Sequence, residues 1–137
     1  GADSQSGKLM YSADSGKTWT YLGTNVFTDI AVSPQMPAMA LAVKNSQLLL
    51  TKDAFKTTTK IKTSLKITQI EWRKSGLYAL SGSSLYKSTN IGRTWTELRA
   101  FNGSPGILSA SDQLMLVTVG SDIYTSKNNG KKFQLDF

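Results

Sequence analysis

Cysteine and histidine are both missing from this chain of 137 residues. Without a thiol there is no disulfide framework and no thiolate metal site, although this excludes no compartment. Without an imidazole the commonest general base and neutral metal ligand are gone, and no Ser-His-Asp triad can be drawn around the abundant serines. Acid is scarce as well: Glu71 and Glu97 are the only glutamates. No carboxylates stand at the alternate positions of a calcium loop, Asn128-Asn129 offering only two amides. No apolar run approaches the ~18 residues of a membrane-crossing helix. Gly82, Gly103, Gly106 and Gly120 form no phosphate-cradling pattern. No metal and no cofactor is therefore expected.

What the chain has instead is one short polar turn written four times. Its fullest copy is Ser12-Ala13-Asp14-Ser15-Gly16-Lys17-Thr18-Trp19, and a second is Ser88-Thr89-Asn90-Ile91-Gly92-Arg93-Thr94-Trp95. Two worn copies are Thr51-Lys52-Asp53-Ala54-Phe55-Lys56-Thr57-Thr58 and Ser126-Lys127-Asn128-Asn129-Gly130-Lys131-Lys132-Phe133. The copies begin at 12, 51, 88 and 126, a spacing in the range where self-similarity marks blades or solenoid units. Each lies between short alternating runs and reads as a hairpin connection. Asp14, Asp53, Asn90 and Asn128 at the third position can accept backbone N–H groups and close the turn from within. Gly16, Gly92 and Gly130 supply a positive φ. Trp19, Trp95 and Phe133 begin the returning strand and cover the apolar underside of the turn. Asp14 is on this reading a structural carboxylate, not a catalytic or metal-binding one. In the copy beginning at Thr51, Phe55 stands in place of Gly and Thr58 in place of Trp, so that turn is expected to be looser or differently shaped.

The consensus S-x-D-x-G-x-T-W resembles the Asp-box of the BNR-repeat proteins, which include sialidases, sortilin-like receptors, some glucan hydrolases and photosystem assembly factors. The resemblance implies a β-propeller in which the box joins the third and fourth strands of a blade, away from any active centre. It also raises glycoside hydrolysis, which in most families needs two carboxyl groups flanking the sugar bond. The sialidase pattern instead uses a Tyr assisted by Glu, an Asp acid and three Arg. Of the three Arg here, Arg93 lies inside a box turn and Arg99 at the end of an outer strand, and no Arg-Ile-Pro segment is present. No catalytic residue is assigned. Asp29 and Glu71, with Arg73 nearby, form the one polar cluster expected at a pore mouth, and its plain alternative is an ion pair at strand ends.

Between the turns the pattern is nearly all strand, and no segment holds a helical period. The expected fold is all-β: a leading half-blade over 8–22, then four-stranded blades over about 26–62, 66–99 and 106–136. A compact irregular β-sandwich of the same strands is the runner-up. Three and a half blades are fewer than a closed ring uses, so the chain is expected to be part of a larger propeller or of an array completed by another copy. Open blade faces would favour self-association. The opening Gly1-Ala2-Asp3 carries no Met and no leader pattern, and is expected to be an internal boundary.

Sixteen Lys and Arg against nine Asp and Glu leave a net charge of +7, and most of the excess is Lys. That can attract an acidic partner, but specific phosphate or carboxylate recognition favours Arg. Lys52, Lys56, Lys60, Lys62 and Lys66 are the densest cluster. Lys60 and Lys62 fall on an expected outermost strand, where Lys discourages edge pairing. The lysines alternate with Thr and apolar residues in no nucleic-acid motif, which disfavours DNA or RNA. Tyr78, Trp72 and Tyr86 could serve as sugar platforms or as packing between blades. Three readings follow: a non-catalytic module of an exported protein that binds protein or glycan, a fragment of a carbohydrate-active enzyme, and an assembly factor docking through a basic face.

Overall fold

The computed structural model describes residues 2–3, 8–12, 14–23, 27–111 and 113–136. Val26, at the expected start of the first full blade, and Ala13 of the first turn lie outside them. Fifteen strands and no helix are present among the described residues. The leading sheet holds β1 (Ala2–Asp3), β2 (Lys8–Tyr11) and β3 (Thr20–Gly23). The first full blade holds β4 (Asp29–Val32), β5 (Ala40–Lys44), β6 (Gln47–Thr51) and β7 (Thr59–Ile61). The second holds β8 (Ile67–Arg73), β9 (Gly76–Ser81), β10 (Ser84–Ser88) and β11 (Thr96–Ala100). The third holds β12 (Pro105–Ala110), β13 (Met115–Val119), β14 (Asp122–Ser126) and β15 (Gln134–Leu135).

Every full blade is an antiparallel meander in chain order, so each strand pairs with the one before it. The blades then stand side by side through their first strands, β4 against β8 and β8 against β12. This is a partial β-propeller, and the sandwich alternative is not what forms. One expectation needs correcting: the leading unit is not a bare hairpin, because Ala2 and Asp3 pair with Leu9 and Lys8 to add a third strand.

Alternation along the inner strands gives each blade two apolar faces, as period-2 side-chain placement requires. Leu41, Val43 and Leu48 of the first blade meet Ile70, Leu77 and Ala79 of the second, all almost wholly buried. Tyr78, Leu80 and Leu85 of the second blade meet Leu108, Met115 and Val117 of the third in the same way. Burying each Leu, Ile or Val of these layers is worth about 1.5–3 kcal/mol, so the blades are joined by two continuous apolar seams. The small residues Ala40, Ala42 and Ala79 sit on second strands at 5% exposure or less, where blades crowd.

The registers fix which positions correspond. Ala40, Leu77 and Met115 pair with the first turn residue of their blades, Thr51, Ser88 and Ser126. Counting from there, Asp29, Gln69 and Ile107 occupy one equivalent place on the innermost strands, opposite Val43, Leu80 and Thr118. In the second and third blades a register shift lies just before it, between Ile67 and Gln69 and between Pro105 and Ile107. A bulge there bends the strand and re-aims the next side chain.

Candidate functional site

The repeated turn is a closed hydrogen-bond unit, built alike each time between the third and fourth strands of a full blade and between β2 and β3. The hydroxyl of Ser12, Thr51, Ser88 and Ser126 donates to the Asp or Asn side chain two residues on, at 2.9 Å in all four copies. The same oxygen accepts the N–H of Gly16, Phe55, Gly92 and Gly130 at 2.8–2.9 Å. The carboxylate or amide oxygen then accepts the N–H of Thr18, Thr57, Thr94 and Lys132 at 2.8–2.9 Å. In the first two copies the Thr hydroxyl also donates to the second carboxylate oxygen of Asp14 or Asp53. Those hydroxyl and amide donors hold both carboxylates below the ordinary aspartate range.

The expectation of a looser turn at Thr51 is overturned. Phe55 adopts φ 65° and Ala54 φ 55°, close to the 80° of Gly92 and the 61° of Ile91. The side-chain network therefore outweighs the glycine preference, and its cost is a strained left-handed Phe. The ring is anchored in compensation, 5.6 Å from that of Phe27.

Asp29 reaches out of its blade. Its Oδ1 accepts the N–H of Ile30 and its Oδ2 the N–H of Ile70 on the next blade, each at 2.9 Å. Gln69 repeats the act one blade later: its Oε1 accepts the N–H of Leu108 at 2.8 Å, and its amide donates to the carbonyl of Gly106. These two clasps tie the exposed edge of each innermost strand to its neighbour. Glu71 shares the electrostatic neighbourhood of Asp29. Burial is the main cause raising both carboxyls above their ordinary range; the Asp29 charge adds to the shift of Glu71, and Arg73 opposes it. Sequence reasoning missed Gln69. It stands 19 residues before its turn, as Ile107 does, but Asp29 stands 22 before, because the 33–39 loop is longer than its counterparts.

Arg73 is buried, and it opens onto a cleft of about 210 Å³ between the first and second blades. The 33–39 loop forms one wall through Ser33, Gln35 and Met36, and Trp72, Arg73 and Lys74 form the other. Met36 is 55% exposed. Ser33 shapes the loop by accepting the N–H groups of Gln35 and Met36. No carboxylate lines this cleft among the described residues. Of the three aromatics considered for sugar, Tyr78 is fully buried between blades, while Trp72 and Tyr86 are half-buried. Arg99 lies over the paired rings of Phe101 and Tyr124, 5.5 Å from each centroid. Arg93 stays exposed in its turn, and Lys60 stands exposed on the edge strand β7. The described residues hold no group of three or more His, Cys, Asp or Glu placed to bind a metal ion, and no helix long and apolar enough to cross a membrane.

No protein-family profile and no curated protein sequence matches the chain. Solved structures do match. YCF48 from Cyanidioschyzon merolae is similar at 19% identity and a TM-score of 0.67, over 80% of this chain and 36% of that one. A YCF48 bound to D1 peptide is similar at 16% identity and a TM-score of 0.69, over 95% of this chain and 48% of that one. PorZ, a surface component of the type-IX secretion system of Porphyromonas gingivalis, follows at 18% identity and a TM-score of 0.64, over 80% of this chain and 15% of that one. At these identities the likeness is one of fold, a propeller built of four-stranded blades. The chain spans less than half the length of each of these structures.

Proposed function

We propose that this chain is part of a non-catalytic β-propeller that binds an acidic, extended segment of another protein in the cleft between its first and second blades. The observation that carries the reading is the lining of that cleft, two cations and no carboxylate, with the thioether of Met36 and the indole of Trp72 beside them. The exposed ammonium of Lys74 offers charge-assisted hydrogen bonds to a carboxylate, and a flexible thioether adapts to varied apolar side chains. The net charge of +7 steers an acidic partner toward the molecule. A propeller of the same architecture bound to a peptide supports a peptide ligand for this one. Docking of this kind is also what an assembly factor with a basic face would do.

Fluorescence anisotropy with labelled acidic peptides and with their Gln and Asn counterparts tests the reading. The acidic peptides are expected to bind at least tenfold tighter, Lys74→Glu to weaken them about tenfold (~1.4 kcal/mol), and salt to weaken them further. Equal binding of both peptide sets, or affinity indifferent to salt, sinks it. The carbohydrate-active alternative draws less support, since both oxygens of Asp29 are already engaged by backbone N–H groups. A glycan array with no binder leaves the protein ligand standing. Export is proposed on the Asp-box resemblance alone, and fractionation of cells making the natural protein tests it.

A further inference from the structure

The seam between blades has two halves, and each half is present once more without its match. On the receiving side, Leu48 of the first blade and Leu85 of the second are fully buried. By register their counterpart in the third blade is Ile123, opposite Thr118, which is only half-buried. Leu116 next to it on the same face corresponds to the fully buried Leu41 and Tyr78, and is likewise half-buried. Ile107, at the clasp position of Asp29 and Gln69, is 55% exposed.

On the inserting side, a turn glycine and the aromatic after it press into the preceding blade. A Cβ on Gly92 would lie 2.7 Å from Leu48, and one on Gly130 would lie 3.5 Å from Leu85. Trp95 packs in the first seam and Phe133, 6% exposed, in the second. The leading sheet carries the same device at Gly16 and Trp19, but among the described residues a Cβ on Gly16 would meet only Trp19 within 4 Å. Trp19 is 52% exposed, and Tyr21 beside it is 53% exposed.

From these unmatched halves we infer that the third blade docks the leading sheet of a second copy of this chain. The turn at Gly16–Trp19 of one copy seats against Ile123, Leu116 and Ile107 of the other. The contact continues a seam that already occurs twice within the molecule, which is why its occupant is a blade of this build and not an unrelated surface. Such a contact is heterologous, and two copies close it on themselves when the face of each receives the turn of the other. The inference stands independently of the cleft and its ligand.

Size exclusion with light scattering tests it on the chain as it stands. The expected mass is twice 14.9 kDa. Ile123→Glu returns it to a single-chain mass, and so does Trp19→Ser, each halving the measured value. An equimolar mixture of those two variants keeps one intact pair of halves and recovers a two-chain species. Ile107→Lys, at a side chain already more than half exposed, separates loss of docking from loss of folding and is also expected to give single chains. A single-chain mass for the unmodified protein at every concentration overturns the inference, as does a two-chain mass indifferent to all three substitutions.

Discussion

The repeated turn shows how side-chain oxygens can dictate backbone shape. Ser88 is buried, and its hydroxyl accepts the N–H of buried Gly92. Ser88→Ala strands that donor and is expected to cost about 1–3 kcal/mol, read as a lower urea midpoint. The four copies also separate backbone strain from packing. Gly16→Ala meets only the penalty of a left-handed residue, about 1–2 kcal/mol, because its nearest neighbour among the described residues, Trp19, would lie at an ordinary contact distance of 3.6 Å. Gly92→Ala drives a methyl to within 2.7 Å of Leu48 and is expected to cost more by the price of that overlap, a further 1–3 kcal/mol or so. Equal midpoints for the two variants would contradict the packing role of Gly92. Trp19 and Trp95 mark the same division. The Trp19 indole donates to the carbonyl of Gly16 at 3.0 Å, whereas the buried Trp95 indole N–H has no acceptor among the described residues. In the seam, burial of the ring outweighs its hydrogen bond.

Within an element, charge decides how each turn responds to acid. Asp14 and Asp53 are held below the ordinary aspartate value of 3.8 by their threonine donors. A carboxylate depressed in the folded state contributes stability above its unfolded pKa and loses it as pH falls through the lower folded one. Protection of the Thr18 and Thr57 amides, measured against the unstructured exchange rate at the same pH, is therefore expected to fall as pH drops below about 3.8, while Thr94 and Lys132, held by asparagines, lack this change. Asp29 and Glu71 behave oppositely. Their folded pKa values are raised, so the folded state holds protons longer and their contribution to stability declines as pH rises through that window. Asp29→Ala removes an acceptor from Ile70 and is expected to speed exchange there, with Gln69→Ala doing the same at Leu108. Unchanged exchange at both amides would show the clasps to be idle. The four polar turns and the four-stranded blades between them were legible from alternation and turn spacing. The Thr51 turn was misread because glycine was taken as necessary, when the Thr-Asp-Thr network suffices to hold a left-handed Phe.

Across the whole molecule, three blades share two seams, and the loop beside the first of them shapes the cleft. Arg73 was picked out from sequence beside Asp29 and Glu71, yet its surroundings depend on the 33–39 loop of the neighbouring blade. Nothing in a linear pattern pairs Met36 with Trp72. Deleting the loop's reach, by replacing Met36 with Ala, is expected to weaken an acidic peptide several-fold with little change in stability, since Met36 is 55% exposed. A matching loss of thermal stability would mean the loop supports the fold and not the ligand. The same logic explains why Ile107 escaped notice. An isoleucine on a strand reads as core until registers show that it sits where Asp29 and Gln69 bind the next blade.

Local chemistry settled the turns, the strand count and the absence of thiol or imidazole catalysis, because each depends on residues within a few positions of one another. Which blade face stays wet, which acid is tied to a neighbouring backbone and which cation lines the cleft depend on residues about forty positions apart, roughly one repeat. Those pairings follow from bulges and loop lengths that shift one blade's register against the next, and they exist only once the blades stand side by side.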